Sequence, residues 1–305
     1  MTVINKLMNK SGIASIKIAK MFFSLNVKDK IPTVSQISKD YSLPRGTVQN
    51  AIKNLSDLNA IKLQANGYKG TTIIEKDNKA LLEICGIQDI SGIMPFPYSK
   101  RHEGLASGLT VTLEKNEIPV YLAYMRGAKK RMKMVQQGRY NFAIVSKLAA
   151  SEYIKENDDL AILMNLGTYS YISKHIICFH DKKATEIKDG MKVGLDSLSF
   201  DSAKITKSLC EGKKVTFVPM EYYQAVSKVI NGEIDAVVTN IDEINDSGIK
   251  INHVDVDVDN GDDNEAVIVV LKESSFLNDY LRTLININTV LDTQKMVVEK
   301  KLRIL

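Results

Sequence analysis

Two groups of residues in this chain have the types and spacing to do chemistry. In SLPRGTVQNAIKNL, Ser42 to Leu55, the apolar residues Val48, Ala51, Ile52 and Leu55, with Leu58 beyond, recur at helical spacing. That stripe leaves Arg45, Thr47, Gln49, Asn50 and Lys53 on the remaining surface. Such side chains read base edges: arginine forks onto guanine, glutamine or asparagine pairs with adenine, and a threonine methyl meets thymine. The second group follows apolar runs that read as strands. LDSLSFDSAK (195–204) offers Asp196, Ser197, Ser199, Asp201 and Ser202; PFPYSKRHEGLASGL (95–109) offers Tyr98, Ser99 and Arg101. Arg126 follows YLAYM, and Ser146 and Asn240 end two further runs. At the carboxyl ends of strands, beside helix N-termini, these groups are placed to hold a small anion, which an arginine grips bidentately. Taken singly, the serines and aspartates are also natural N-caps, and the arginines ordinary surface cations.

The elements that would position the first group are legible. Ile13, Ile16, Ala19, Met21, Phe22 and Phe23 predict a helix after Ser11-Gly12, and Pro32 ends the loop that follows. Thr33 and Gln36 fit a capping box opening a short helix that stops near Tyr41. Pro44 suits the first position of the next helix, where its missing N–H costs nothing. The β-branched runs Ile61–Leu63 and Thr71–Ile74 flank QANGYKG, whose Asn66-Gly67 is a hairpin signal. Short helix, turn, second helix and hairpin make a winged helix-turn-helix over residues 1–78. Thr33, Ser35, Asn66 and Lys69 then join the recognition residues as candidate contacts to double-stranded operator DNA. Residues 1–79 hold 13 Lys/Arg against 5 Asp/Glu, a net +8, whereas the remainder carries −3. This asymmetry places a polyanion on the head alone, although a lysine-rich solvated surface has the same composition.

The segment IPTVSQISKDYSLPRGTVQNAIKNLSDLNAIKL resembles the winged-helix domain of GntR-type bacterial regulators. Ile31-Pro32 matches that family's opening of the second helix; Arg45 and Thr47-Val48 match the motif opening its recognition helix. The resemblance implies that Arg45 and Thr47 touch DNA. Pro44 stands where a capping Ser/Thr is usual and Gln49 where arginine is frequent, so the operator sequence does not carry over.

Residues 79–305 read as alternating strands and helices. Asn78–Leu81 forms a junction into a first strand, Leu82–Cys85; Ile118–Tyr124 is a strand, Lys129–Gln137 a helix ending at Gly138, and Tyr140–Val145 a strand. This alternation predicts an α/β domain with a largely parallel sheet. VQQGRYNFAIVS (135–146) and VINGEIDAVVTN (229–240) repeat one gapless pattern, a helix stopping at glycine before a buried strand. The repeat suggests two lobes on one plan, with Tyr169–Phe179 as the crossover; chance likeness of common corners is the alternative. Two such lobes resemble type II periplasmic-binding-protein and LysR-type effector domains, and the whole chain resembles the YhfZ family, in which a GntR-like winged helix precedes such a domain.

Other chemistries lack support. Cys85, Cys178 and Cys210 form neither a disulfide framework nor a metal cluster. HVDVDVDNGDDNE (253–265) misplaces the glycine and lacks the final glutamate of a calcium loop, and reads as an edge strand with an acidic turn. Gly104–Gly108 is followed by no Gly-Lys-Ser/Thr. No nucleophile–base set can be assembled, and neither a signal peptide nor a membrane span is apparent. The tail DYLRTLININTVLDTQKMVVEKKLRIL predicts one or two helices that close the second lobe in cis or form a dimer surface. The expectation is a cytoplasmic, homodimeric, non-enzymatic transcriptional regulator without cofactor, whose operator affinity responds to a small anionic effector between the lobes. A constitutive DNA binder with a dimerisation scaffold, or an enzyme with an appended winged helix, are the alternatives.

Overall fold

Apolar residues at helical spacing build three helices, α1 (Lys10–Ser24), α2 (Val34–Asp40) and α3 (Arg45–Asp57), whose buried faces share one core. The computed structural model describes residues 10–114, 118–257 and 261–300. Contacts divide the chain into two units, the first running to Asp89 and also taking in Ile118 and Pro119, the second starting at Ile90. In the first, Ile18, Phe22, Ile37, Val48, Ala51 and Leu55 are fully buried together. Helix α1 passes through Ser11-Gly12 rather than starting after it.

Thr33 Oγ1 accepts the Gln36 N–H at 3.3 Å, so half of the expected capping box forms and caps α2. Pro44 is the N-cap of α3 and not its first helical residue; its ψ of 141° is extended, and its carbonyl accepts the Val48 N–H at 3.1 Å. Proline suits this position because the cap N–H is not needed by the helix. Leu58 is 62% exposed and lies off the apolar stripe, because the helix has ended at Asp57.

Strands β1 (Ile61–Ala65) and β2 (Thr71–Lys76) pair antiparallel, and Lys30 bridges to Thr72 as a third rung. A short 3-10 turn, Gly67–Lys69, connects them in place of a two-residue hairpin. Residues 82–85 are not a strand. Asp77 Oδ1 accepts the Ala80 N–H and caps helix α4 (Asn78–Ile84), which packs its Leu81 into the first unit's core.

The second unit has two five-stranded sheets. The first lobe orders its strands β4 (Val120–Tyr124), β3 (Ile90–Met94), β5 (Phe142–Ser146), β12 (Ala266–Leu271) and β6 (Leu160–Asn165). The second orders β11 (Asn252–Asp255), β7 (His175–Phe179), β10 (Ala236–Asn240), β8 (Lys192–Leu195) and β9 (Thr216–Pro219). Each sheet is largely parallel, four of its five strands running one way; the exceptions are β12, antiparallel to β5 and β6, and β7, antiparallel to β10 and β11. These antiparallel strands carry the chain between lobes, β6 leading to β7 and β11 returning to β12. As the acidic stretch suggested, β11 is an edge strand; residues 258–260 of that stretch lie outside the described residues.

The helices of the first lobe are α5 (Lys100–Leu113), α6 (Ala128–Gln136) and α7 (Lys147–Lys155); those of the second are α8 (Phe200–Leu209), α9 (Ala225–Ile230) and α10 (Ile241–Ser247). The repeated sequence pattern is one structural unit used twice, α6 to β5 and α9 to β10. Gly138 and Gly232 turn the corners at φ of +67° and +71°, backbone that favours glycine. Ser146 and Asn240 then cap α7 and α10 through the Ala149 and Glu243 N–H groups. The tail forms α11 (Ser275–Leu284) and α12 (Ile287–Val298), its last five residues lying outside the described ones. It packs in cis, but α12 lies on α5 of the first lobe rather than on the second.

Candidate functional site

The exposed side of α3 carries Arg45, Gln49, Asn50 and Lys53, with Thr47 half-buried among them. The turn before it is held by Ser38 Oγ donating to the Leu43 carbonyl at 2.6 Å. Thr33 and Ser35 are exposed at the start of α2. At the hairpin tip Lys69 is exposed and Tyr68 is 94% exposed. Asn66 is used differently: its amide donates to Thr72 Oγ1 at 3.1 Å and to the Gln64 carbonyl, bracing the turn.

In the second unit a cavity of about 90 Å³ opens between the lobes. The carboxyl ends of β3 and β4 supply Tyr98 and Arg126; Ser199, the N-cap of α8, and Asp201 in its first turn come from the second lobe. Asp196, Ser202 and Asn240 complete the predicted residues brought together there. Ser197 faces an adjoining surface groove with Lys129 and Lys130. Ser99 is buried as the cap of α5, and Ser146 lies behind the lining as the cap of α7.

The two predicted arginines are taken up by the protein's own carboxylates. Arg126 donates to Asp196 and Glu221 across the lobes, both at 2.8 Å. Arg101 donates to Asp242 at 3.2 Å, to the Tyr169 carbonyl and to Ser173 Oγ.

The cation that is not so paired is Arg131, on the buried face of α6 and 2% exposed. Nε donates to the Ile144 carbonyl at 3.0 Å, Nη1 to the Met125 carbonyl at 2.9 Å, and Nη2 to Tyr171 Oη at 3.1 Å. It forms no ion pair among the described residues, and three of a guanidinium's five N–H groups are used. Beside it His102 meets Tyr171 edge-on, its Nε2 without a hydrogen-bond partner. Burial depresses the His102 pKa to about 4, so the ring is neutral. From the second lobe Asp201 is buried, and among the described residues its Oδ1 has no hydrogen-bond partner. Burial pushes the Asp201 carboxyl up to about 6. His175 Nδ1 and Asp263 Oδ2, on the two inter-lobe connections, lie 2.6 Å apart.

Arg131, His102, Tyr171 and His175 were absent from the sequence-based set, although a signal for two of them existed. Arg131 falls on the stripe of Ala128, Met132 and Val135, and His102 on that of Leu105, Ala106 and Leu109, where apolar residues are expected. Among the described residues no His, Cys, Asp and Glu cluster is arranged to hold a metal ion, and no helix is long and apolar enough to cross a membrane.

The profile of the family described as YhfZ C-terminal domain matches residues 77–303, and a helix-turn-helix profile matches residues 26–73. An uncharacterized protein YhfZ of Escherichia coli (strain K12) is 29% identical over 292 residues, 95% of each chain. The crystal structure of YhfZ from Shigella flexneri superposes with a TM-score of 0.59 at 31% identity, covering 74% of this chain and 97% of that one. The substrate-binding protein of a methionine transporter from Streptococcus pneumoniae superposes at 0.52 with 14% identity, covering 70% and 93%, a likeness of fold. The second unit therefore has the two-lobed periplasmic-binding-protein-like fold.

Proposed function

The chain belongs to the YhfZ family, and we propose from that premise that it is a transcriptional regulator whose operator affinity responds to a small anion held between the lobes. Its helix-turn-helix is of the GntR-like type, with Arg45, Thr47, Gln49, Asn50 and Lys53 facing the major groove and Lys69 meeting phosphate. A cytoplasmic homodimer follows from function, since one recognition helix covers only half a palindromic operator.

One observation carries the anionic effector: Arg131 is a buried cation with no carboxylate partner among the described residues, lining the cavity between two lobes. An uncompensated buried charge costs several kcal/mol, and an anion reaching its remaining N–H groups offsets that cost. Because Arg131 belongs to one lobe and Asp201 to the other, occupancy is linked to how the lobes close. A linkage of about 1–3 kcal/mol would change operator affinity about 5- to 150-fold.

The test is a thermal-shift screen of small carboxylates and phosphates against the full chain and its Arg131→Met variant, followed by anisotropy titration of upstream DNA. At least one compound should stabilise the wild type, leave the variant unmoved and change DNA affinity. Normal DNA binding with no responding anion would instead favour a constitutive binder.

A further inference from the structure

We propose that the effector is a zwitterion, presenting an ammonium group to Asp201 as well as an anionic group to Arg131, as an α-amino acid does. This rests on the anion reading above and narrows it.

Asp201 is 7% exposed, sits in the first turn of α8 and lines the same cavity as Arg131. Among the described residues its Oδ1 has no hydrogen-bond partner, which leaves that oxygen as an acceptor for a ligand. Buried acceptors are nearly always satisfied, and an orphaned one in a cleft is a position waiting for a donor. The protein itself supplies none: Arg131 attracts Asp201 through space but spends its Nη2 on Tyr171, and no ion pair joins the two. An ammonium brings positive charge and three donors, which suits a buried carboxylate better than a neutral hydroxyl.

Cation and anion thus face one small cavity from opposite lobes, and a molecule with the complementary charges a few bonds apart engages both. Tyr98, Phe96, Tyr222 and Phe200 line the rest and offer a surface for an apolar or aromatic side group. Such a ligand engages Asp201 Oδ1 as well as Arg131, whereas a simple anion leaves Oδ1 without a donor.

The groups facing Asp201 are Arg131 from α6, Ser146 at the end of β5, His175 at the start of β7 and Asp263 before β12. An ammonium ligand needs Asp201 ionised. Because burial holds that carboxyl near 6, affinity should fall as the pH drops from 7 to 5.

The experiment is isothermal titration of the full chain with the proteinogenic L-amino acids. The N-acetyl and methyl-ester forms of any binder, and succinate as a carboxylate without ammonium, are titrated alongside. One amino acid should bind, and masking either charge should weaken it at least about tenfold. Asp201→Asn should reproduce the N-acetyl loss, with circular dichroism verifying its fold; the ligand derivatives test the same contact without altering the protein. If N-acetyl compounds or succinate bind as tightly as any amino acid, the zwitterion proposal is overturned and the anion reading stands. If neither amino acids nor other anions bind, both fall.

Discussion

Arg126 of the first lobe and Asp196 of the second meet at 2.8 Å, which ties the lobes together across the cavity they enclose. Asp196 is nearly buried and also accepts the Leu198 and Tyr222 N–H groups, so its orientation is fixed from within its own lobe. Arg126 is held in turn by Glu221 and stacks over Tyr223. Replacing this carboxylate leaves several of those donors without an acceptor. Asp196→Asn should destabilise the second unit by about 1–3 kcal/mol, read from a urea melt. Hydrogen exchange at Leu198 and Tyr222 should quicken in parallel. Unchanged exchange in the variant would mean that the pair does not hold the lobes closed.

A second closure lies between α5 and α12. A Cβ on Gly108 would come within 2.5 Å of the Val290 carbonyl oxygen, and one on Gly104 within 2.8 Å of Gln294 Cα. The glycines therefore serve close helix packing. Gly108→Ala gains up to about 1 kcal/mol of helix propensity. It must also push backbone away from backbone, an overpacking cost of about 1–3 kcal/mol. The second term wins, and the variant should melt at lower denaturant; equal or greater stability would show that α12 moves aside freely.

Much of this architecture was legible because local rules and tertiary structure agree. Gly138 and Gly232 end helices for a backbone reason, and Ser146 and Asn240 cap the next helices for a hydrogen-bonding one, so the repeat survives in sequence. The reading failed where a decision was non-local. Leu82–Cys85 is too short an apolar run for periodicity to separate strand from helix, and the deciding contact is Leu81 with α1. The antiparallel pairing of β7 with β10 joins residues about 60 positions apart, and no local pattern encodes it. At the candidate site, residue type misled: Arg101 and Arg126 looked free but face carboxylates, while Arg131 was hidden on an apolar helix face.

The paired burial of His102 and Asp201 gives a pH signature. Between the ordinary carboxylate range and pH 6 the folded chain keeps a proton on Asp201 that the unfolded chain releases, so this group's contribution falls as pH rises. Between pH 4 and 6.5 the unfolded chain protonates His102 while the folded one does not, so that contribution rises with pH. Each amounts to roughly 3 kcal/mol across its window, and over most of it they cancel. Asp201→Asn removes the falling part. The variant should lose stability relative to wild type as pH drops from 6.5 to 4, and His102→Gln should gain. Urea melts at intervals across that range decide it, and parallel curves for all three proteins would refute the assignment.

On the first unit, the proposed operator binding assigns different roles to residues that would read sequence and residues that would only add charge. Arg45 is exposed at the start of α3, and no residue of the apolar core depends on it. Arg45→Ala should cost about 1–3 kcal/mol of operator binding and relax preference at one base position, with the melting temperature nearly unchanged. Lys69 at the hairpin tip has no base edge to recognise if it meets phosphate. Lys69→Ala should weaken all DNA alike and reduce the salt dependence of log affinity by about one counterion. Asn66→Ala, by contrast, should loosen the hairpin turn, because its amide is committed to Thr72 and Gln64. Anisotropy titrations of specific and scrambled duplexes at several salt concentrations separate the three behaviours. If Arg45→Ala and Lys69→Ala both bind the upstream region as the wild type does, α3 is not the recognition helix.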